Sequence, residues 1–263
     1  MNDKQNNLSK DMTLDRRVKI IELIESKGQV KVSDLSSEFN VSEVTIRNDL
    51  AQLEEKGLAI RARGGAIKVQ RVGVDYKINE KSKRNLKEKQ AIGKKAAELI
   101  KDDDTIIMDS GSTTMEVAKN LSGIQNLTVI TNALNIAHKL ADYPDIKVIM
   151  LGGILRNNSL SLIGSIAENS IKNYFCDKLF VGVDAIDSQY GISTPNIEEA
   201  QLNKLMIDIS KEVIVVTDSS KFLKRSFAFI APMSKIDFVI TDSNIPKEEE
   251  ERLVSAGVNV IIV

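Results

Sequence analysis

Two short stretches carry residue types whose spacing could do chemistry. The first is "VSEVTIRNDLAQLEEKGLAIRARGGA", from Val41 to Ala66, which sets Ser42, Glu43, Val44, Thr45, Arg47 and Asn48 close together and then adds Arg61, Arg63, Gly64 and Gly65. On a helix with Ile46 at zero, Leu50 and Leu53 fall within about 40° of it. Val44 and Asn48 then point away from that stripe, with Thr45 and Arg47 on its flanks. The asparagine amide pairs a donor with an acceptor and so matches an adenine edge. Arginine reaches guanine or phosphate, and an exposed valine suits a thymine methyl. Ser42 and Thr45 stand near the positive helix end, where phosphate binds, and Glu43 is a first-turn acid. Duplex DNA is the surface that such a set fits.

The second stretch is Asp109-Ser110-Gly111-Ser112-Thr113-Thr114, which turns from an apolar run into a helical one. Small residues with free amides at a helix start form a phosphate cradle. It is not a Walker motif, because no lysine follows the glycine at the required spacing. Further polar residues end later apolar runs: Thr131 and Asn132, Gly152 and Gly153, Asp184, and Lys221 after Asp218. If those runs are parallel strands, their carboxyl ends bind the ligand, and all of these residues are expected in one crevice. Arg156 and Lys221 would balance a phosphate's charge. The single histidine, His138, and the single cysteine, Cys176, exclude an internal disulfide and any all-histidine or multi-cysteine zinc site. No metal and no cofactor are expected, and Cys176 reads as a small buried hydrophobe.

The elements that must position these residues follow from periodicity. Leu14, Val18, Ile21 and Ile24 recur as one helical face that Gly28 stops. Ser33 reads as a helix cap before Asp34, Leu35 and Phe39 share a face, and Asn40 closes that helix. Ser42 opens a third helix whose inward stripe is Ile46, Leu50 and Leu53. Two of these helices joined by a tight turn make a helix-turn-helix. After Gly57 the period changes to two, with Leu58, Ile60 and Ala62 on one side and Arg61 and Arg63 on the other. Gly64-Gly65 is expected to supply the positive φ of a hairpin, which makes a wing.

Beyond residue 87 the apolar runs "TIIMDS", "LTVITN", "KVIML", "KLFVGVDAI", "EVIVVTD", "DFVITD" and "VNVIIV" alternate with helical stretches. That pattern predicts an α/β domain with a largely parallel sheet covered on both faces. The domains are thus a winged helix-turn-helix over 12–69, a linker over 70–87, and an α/β sensor over 88–263. The chain has 263 residues, 42% hydrophobic and 28% charged, as in an ordinary globular protein. "MNDKQNNLSKDM" has no apolar core of a signal peptide, and no run reaches the roughly 18 apolar residues of a membrane span. A cytoplasmic protein is expected. Residues 1–95 hold 21 Lys/Arg against 14 Asp/Glu and the remainder 15 against 23, so the front is expected to meet the polyanion.

With "RRVKIIELI" and the phosphate-cradle motif added, the 41–66 stretch resembles the DeoR family of bacterial transcription regulators over nearly the whole chain. The resemblance implies a winged helix-turn-helix joined to a sensor domain similar to ribose-5-phosphate isomerase, which binds a phosphorylated sugar as inducer. It implies effector contacts at "DSGSTT", Thr131-Asn132, Gly152-Gly153, Asp184 and Lys221. "GGILRNNSLSLIGS" and "GVDAIDSQYGISTPNIEEAQLNKLM" look most like the N-acetylgalactosamine-pathway repressors, which suggests an amino-sugar or hexose phosphate. The family's usual signature has a second arginine where this chain has Asn48. Partners are then an operator duplex, a sugar phosphate, and further copies in a homodimer or homotetramer. The alternative is an isomerase-like enzyme. Of the four catalytic groups of the isomerase pattern only Asp184 has a counterpart, Val181 and Asn203 standing where acids are needed, so a sensor is expected.

Overall fold

The computed structural model describes residues 15–24, 26–55, 58–62, 64–68 and 74–263. It divides into two units, Met1–Arg71 and Val72–Val263.

In the first unit, helix α1 (15–24) buries Ile20 and Ile24, four residues apart. Val18 is 48% exposed, so the buried face is turned from the one expected, and Leu14 lies outside the described residues. "VKIIELI" offers apolar residues at two overlapping helical spacings, and tertiary packing selects the stripe through Ile20. Gly28, at φ +76°, ends α1 by donating to Ile24 O at 2.9 Å. Strand β1 (Gln29–Lys31) leads directly into α2 (Val32–Phe39). The cap position of α2 is Lys31, and Ser33 bonds its neighbour Asp34 instead of capping. Asn40 closes α2 in the left-handed region at φ 49°.

Helix α3 (Glu43–Glu55) begins where Ser42 Oγ accepts from Thr45 N at 3.2 Å, a side-chain cap on an otherwise unsatisfied amide. Ile46, Leu50 and Leu53 are fully buried against α1 and α2 residues such as Ile20 and Leu35. Strands β2 (Ala59–Ala62) and β3 (Gly65–Lys68) form the expected hairpin, with Ala62 paired to Gly65. β3 also pairs antiparallel with β1, which completes a three-stranded wing in the order β1-β3-β2. The two glycines do different work. Gly64 takes the positive φ of +81°, whereas Gly65 lets β3 approach β1, since a Cβ there would lie 2.0 Å from Val30 O. The faces of β2 are reversed from expectation: Ala59 is buried, while Ile60 and Leu58 are nearly half exposed.

The second unit opens inside the stretch expected as a linker. α4 (Ile78–Lys81) is a helical turn and α5 (Leu86–Ala97) follows. All seven apolar runs then join one parallel sheet: β4 (Thr105–Met108), β5 (Thr128–Thr131), β6 (Lys147–Met150), β9 (Cys176–Val181), β12 (Ser210–Val216), β14 (Phe238–Thr241) and β15 (Asn259–Ile262). Alternate residues bury on opposite faces. Ile107 joins one core with Leu179 and Val215, while Ile106 and Met108 join the other with Phe180 and Ile214. Helices α6 (Ser112–Ala118), α7 (Leu134–Leu140), α8 (Ser165–Ile171), α9 (Ile197–Asp208) and α10 (Lys247–Ser255) fall between strands. Two small antiparallel sheets add to this frame: β7 (Ile154–Arg156) with β8 (Ser161–Ile163), and β10 (Ala185–Asp187), β11 (Gly191–Thr194) and β13 (Ala228–Ala231).

Sheet order is β15-β14-β12-β9-β4-β5-β6. From β4 the chain steps outward through β5 to β6, then returns to β9 on the opposite side of β4 and steps the other way. The order reverses between β4 and β9. In such sheets the two connections diverge at that point and leave a crevice beyond the strand ends.

Candidate functional site

On α3, Ser42, Glu43, Val44, Arg47 and Asn48 are exposed and Thr45 is half-buried. Val44 is 62% exposed. Arg47 Nη2 lies 2.5 Å from Glu43 Oε2, one turn earlier, so the arginine is held along the helix. Ser42 and Thr45 hydroxyls are 2.9 Å apart. In the wing, Arg61 is exposed and its backbone N–H donates to Glu54 Oε1 at 3.0 Å, which ties the wing to the end of α3. Gly64 is exposed, Gly65 is buried under Val30, and Arg63 lies outside the described residues. Sequence reasoning missed Asp49. It is 1% exposed and accepts Arg16 Nε at 2.6 Å and Arg17 Nε at 2.7 Å, one on each oxygen, so a buried carboxylate fastens α3 to α1.

In the second unit a cleft opens at the β4/β9 reversal. It is lined by Asp109, Ser110, Gly111, Ser112 and Thr113 after β4, by Gly182, Val183 and Asp184 after β9, and by Lys221 after β12. Gly111 and Gly182 let the two strand ends meet backbone to backbone: a Cβ on Gly182 would lie 3.2 Å from Gly111 Cα. Asp109 is buried there and accepts Thr114 Oγ1 at 2.6 Å and Gly111 N at 2.9 Å. Burial pushes its carboxyl up to about 6 despite those bonds and one from the Gly182 amide.

The cations come from an unexpected place. Lys81 and Lys89, on α4 and α5, line the cleft beside Lys221. Lys89 is 3% exposed, and its Nζ donates to the carbonyls of Lys81 at 2.5 Å and Arg84 at 2.7 Å. Burial lowers it to about 8, with Asp218 opposing and Lys221, Lys81 and Arg84 adding to the fall. Lys81 Nζ lies 2.7 Å from Asp184 Oδ1 and Lys221 Nζ 4.0 Å from it. Burial alone would raise Asp184, but those two ammonium groups and the Thr194 hydroxyl outweigh it and hold the carboxyl below its ordinary value. Asn85 Nδ2 donates to buried Asp218 at 2.7 Å, which fixes the turn carrying Lys221. Asn158, Ser159, Thr194, Glu199 and Asn203 complete the polar wall with Ile78.

The expected single crevice is thus built from three strand ends, and six expected residues stand outside its lining. Thr114 is spent on Asp109. Thr131 accepts Ala133 N at 3.0 Å within its own turn, and Asn132 is bonded to Leu162 of β8, which fastens a neighbouring ribbon. Gly152 packs on Ile166, and Gly153, at φ +139°, lies where a Cβ would meet Ile163 O at 2.5 Å. Arg156 is paired with Asp75 and with Glu199. Glu198 is exposed, and Glu199 accepts from Arg156 and Ser161. The basic run "KSKRNLKEKQ" was a visible signal for Lys81 and Lys89. Residues 1–71 hold 13 Lys/Arg against 11 Asp/Glu, and 72–95 hold 8 against 3, so most of the front's basic excess belongs to the cleft's unit.

The match to known proteins covers both units. Residues 16–72 match the DeoR-like helix-turn-helix domain and residues 84–243 the DeoR C terminal sensor domain. A protein of Escherichia coli O157:H7, by name an aga operon transcriptional repressor, is 43% identical over 95% of this chain and 94% of its own. The HTH-type transcriptional regulator GolR of Listeria innocua is 37% identical over 94% of this chain and 98% of its own. A ribose 5-phosphate isomerase from Methanocaldococcus jannaschii overlays 53% of this chain and 56% of its own at 19% identity and a TM-score of 0.41. Among the described residues no helix is long and apolar enough to cross a membrane. With both units matched to domains of one family and relatives aligned over almost its whole length, the chain belongs to the DeoR family of DNA-binding transcription regulators.

Proposed function

We propose that this chain represses a carbohydrate-utilisation operon and leaves its operator when a phosphorylated sugar fills the β4/β9 cleft. The carrying observation is that Lys81, Lys89 and Lys221 line the same cleft as Ser110–Thr113. A dianionic phosphate needs charge-assisted donors, and a nearly buried cleft strengthens each of them. Asp184, Thr194, Glu199 and Asn203 offer the acceptors and donors that sugar hydroxyls require. An amino-sugar or hexose phosphate fits that mixture. α3 and the wing take the duplex, with Asn48 and Arg47 on base edges, Val44 on a methyl, and Ser42, Thr45 and Arg61 on phosphates. Two or four copies act together on paired half-sites.

A thermal-shift series with hexose and hexosamine 6-phosphates against the free sugars tests this. Ligand at a hundredfold excess over its Kd stabilises by about 2.7 kcal/mol, which in a unit of this size raises Tm by roughly 5–10 °C. Lys221→Glu should abolish that shift and the release of DNA while operator affinity stays as in the wild type. Equal shifts from free sugar and sugar phosphate would reject the phosphate reading.

A further inference from the structure

The guanidinium of Arg156 is spent on two carboxylates. Nη1 donates to Glu199 Oε1 at 3.2 Å and to Ser159 Oγ at 2.8 Å, while Nη2 pairs with Asp75 Oδ2. All three charged side chains are mostly buried: Arg156 is 12% exposed, Glu199 10% and Asp75 22%. Glu199, Ser159 and Asn158 line the cleft. Asp75 stands three residues past Val72, where the second unit begins, and so lies on the stretch by which the chain arrives from the DNA-binding unit. The same stretch is held a second time, since Ile78 N donates to Asn158 O at 2.6 Å. A continuous run of bonds therefore joins the cleft wall to the incoming chain.

One end of that run is half-satisfied. Asp75 Oδ2 takes both Arg156 and Asn158 Nδ2, while Oδ1 is buried with no hydrogen-bond partner among the described residues. A buried oxygen without a donor is costly, and a contact with one crowded and one empty oxygen has a second arrangement open to it.

We propose that Arg156 is a positioning residue that couples occupancy of the cleft to the incoming stretch, with Glu199 as its cleft-side partner and Asp75 as its other partner. The inference rests on the cleft being the effector site. Hydroxyls seated against Ser159 and Glu199 compete with Arg156 for the same lone pairs. Arg156 then shifts its bonding toward Asp75, and residues 75–78 follow. Such coupling is a free energy shared by two sites, so its loss must leave each site's own binding intact and remove their mutual effect in both directions.

The test uses the full chain, an operator selected from random duplex, and glucosamine 6-phosphate, galactosamine 6-phosphate and inorganic phosphate as probes. Asp75→Asn should bind probe and operator each within about threefold of the wild type, while a probe-induced loss of operator affinity of about tenfold or more falls below about twofold. The effect of operator on probe affinity should shrink by the same factor. Arg156→Lys, which keeps the charge and loses the fork, should respond in between. Arg156→Met strands two buried carboxylates and can fail to fold, so the weight lies on Asp75→Asn. An Asp75→Asn chain that responds as the wild type does overturns the inference alone. So does one whose operator affinity without probe drops as far as its response, which is a purely structural effect. A wild-type chain that binds none of the probes overturns the cleft reading and this inference with it.

Discussion

Asn48 and Arg47 are neighbours on α3 with different duties. Asn48 is exposed, and Arg47 is held by Glu43 at 2.5 Å. Asn48→Ala should relax base preference at one position at a cost of about 1–3 kcal/mol and leave the salt slope nearly unchanged. Equal loss on every sequence in a binding selection would assign Asn48 to phosphate instead. Glu43→Gln frees Arg47 and removes a negative charge from the DNA face, so binding to random duplex should tighten by about threefold to tenfold and specificity should fall. In the cleft, burial places Asp109 at about 6 and Lys89 at about 8. Rising pH first adds a negative charge at Asp109 and then removes a positive one at Lys89, so an anion of fixed charge must bind progressively more weakly. A hexose 6-sulfate titrated from pH 5 to 9 should lose affinity in two steps, and flat affinity would place the anion elsewhere. The buried and exposed faces of α3 were legible in the sequence because a helical wheel is local. Arg156 was misread because a guanidinium at a strand end looks alike whether it awaits a ligand or already holds Glu199, 43 positions away.

The element scale divides along the same line. Seven apolar runs announced seven sheet strands, since strands buried on both faces need little else. The short ribbons β7–β8 and β10–β11 have three or four residues each, too few for a period to register, and "KLFVGVDAI" hides the break between β9 and β10 at Gly182. Residues 70–87 have little apolar periodicity and many cations, the pattern of a connector, yet the fold places α4 and the start of α5 there and buries Lys89, just beyond, against the carbonyls of Lys81 and Arg84. The wing offers the sharpest test of what its glycines do. Gly64→Ala meets nothing within 4 Å and pays only for φ +81°, about 1–2 kcal/mol. Gly65→Ala would place a methyl 2.0 Å from Val30 O and must part β3 from β1. It should cost more than Gly64→Ala, beyond the 1–3 kcal/mol usual for overpacking, and lower DNA affinity with it. Equal melting points for the two variants, measured on the full chain, would show that β1 and β3 are not pressed together.

At the scale of the whole molecule, charge sets how DNA binding must be organised. The DNA-binding unit carries 13 cations against 11 anions, and Asp49 already occupies Arg16 and Arg17. A head that weakly charged can neutralise few phosphates, so one copy has little non-specific affinity to build on. A single 13-residue recognition helix also buries less surface than a tight specific complex requires. On the proposed reading specific binding comes from several heads on one duplex, and closed symmetry would make the operator an inverted repeat with half-sites about 10–10.5 base pairs apart or a multiple of that. Inserting five base pairs between selected half-sites turns the second to the opposite face and should reduce affinity by at least tenfold, whereas inserting ten should restore most of it. A selected site without internal symmetry, or an affinity indifferent to the five-base-pair insertion, would mean that one α3 suffices and that the weak charge of the head is offset by contacts outside the helix and wing.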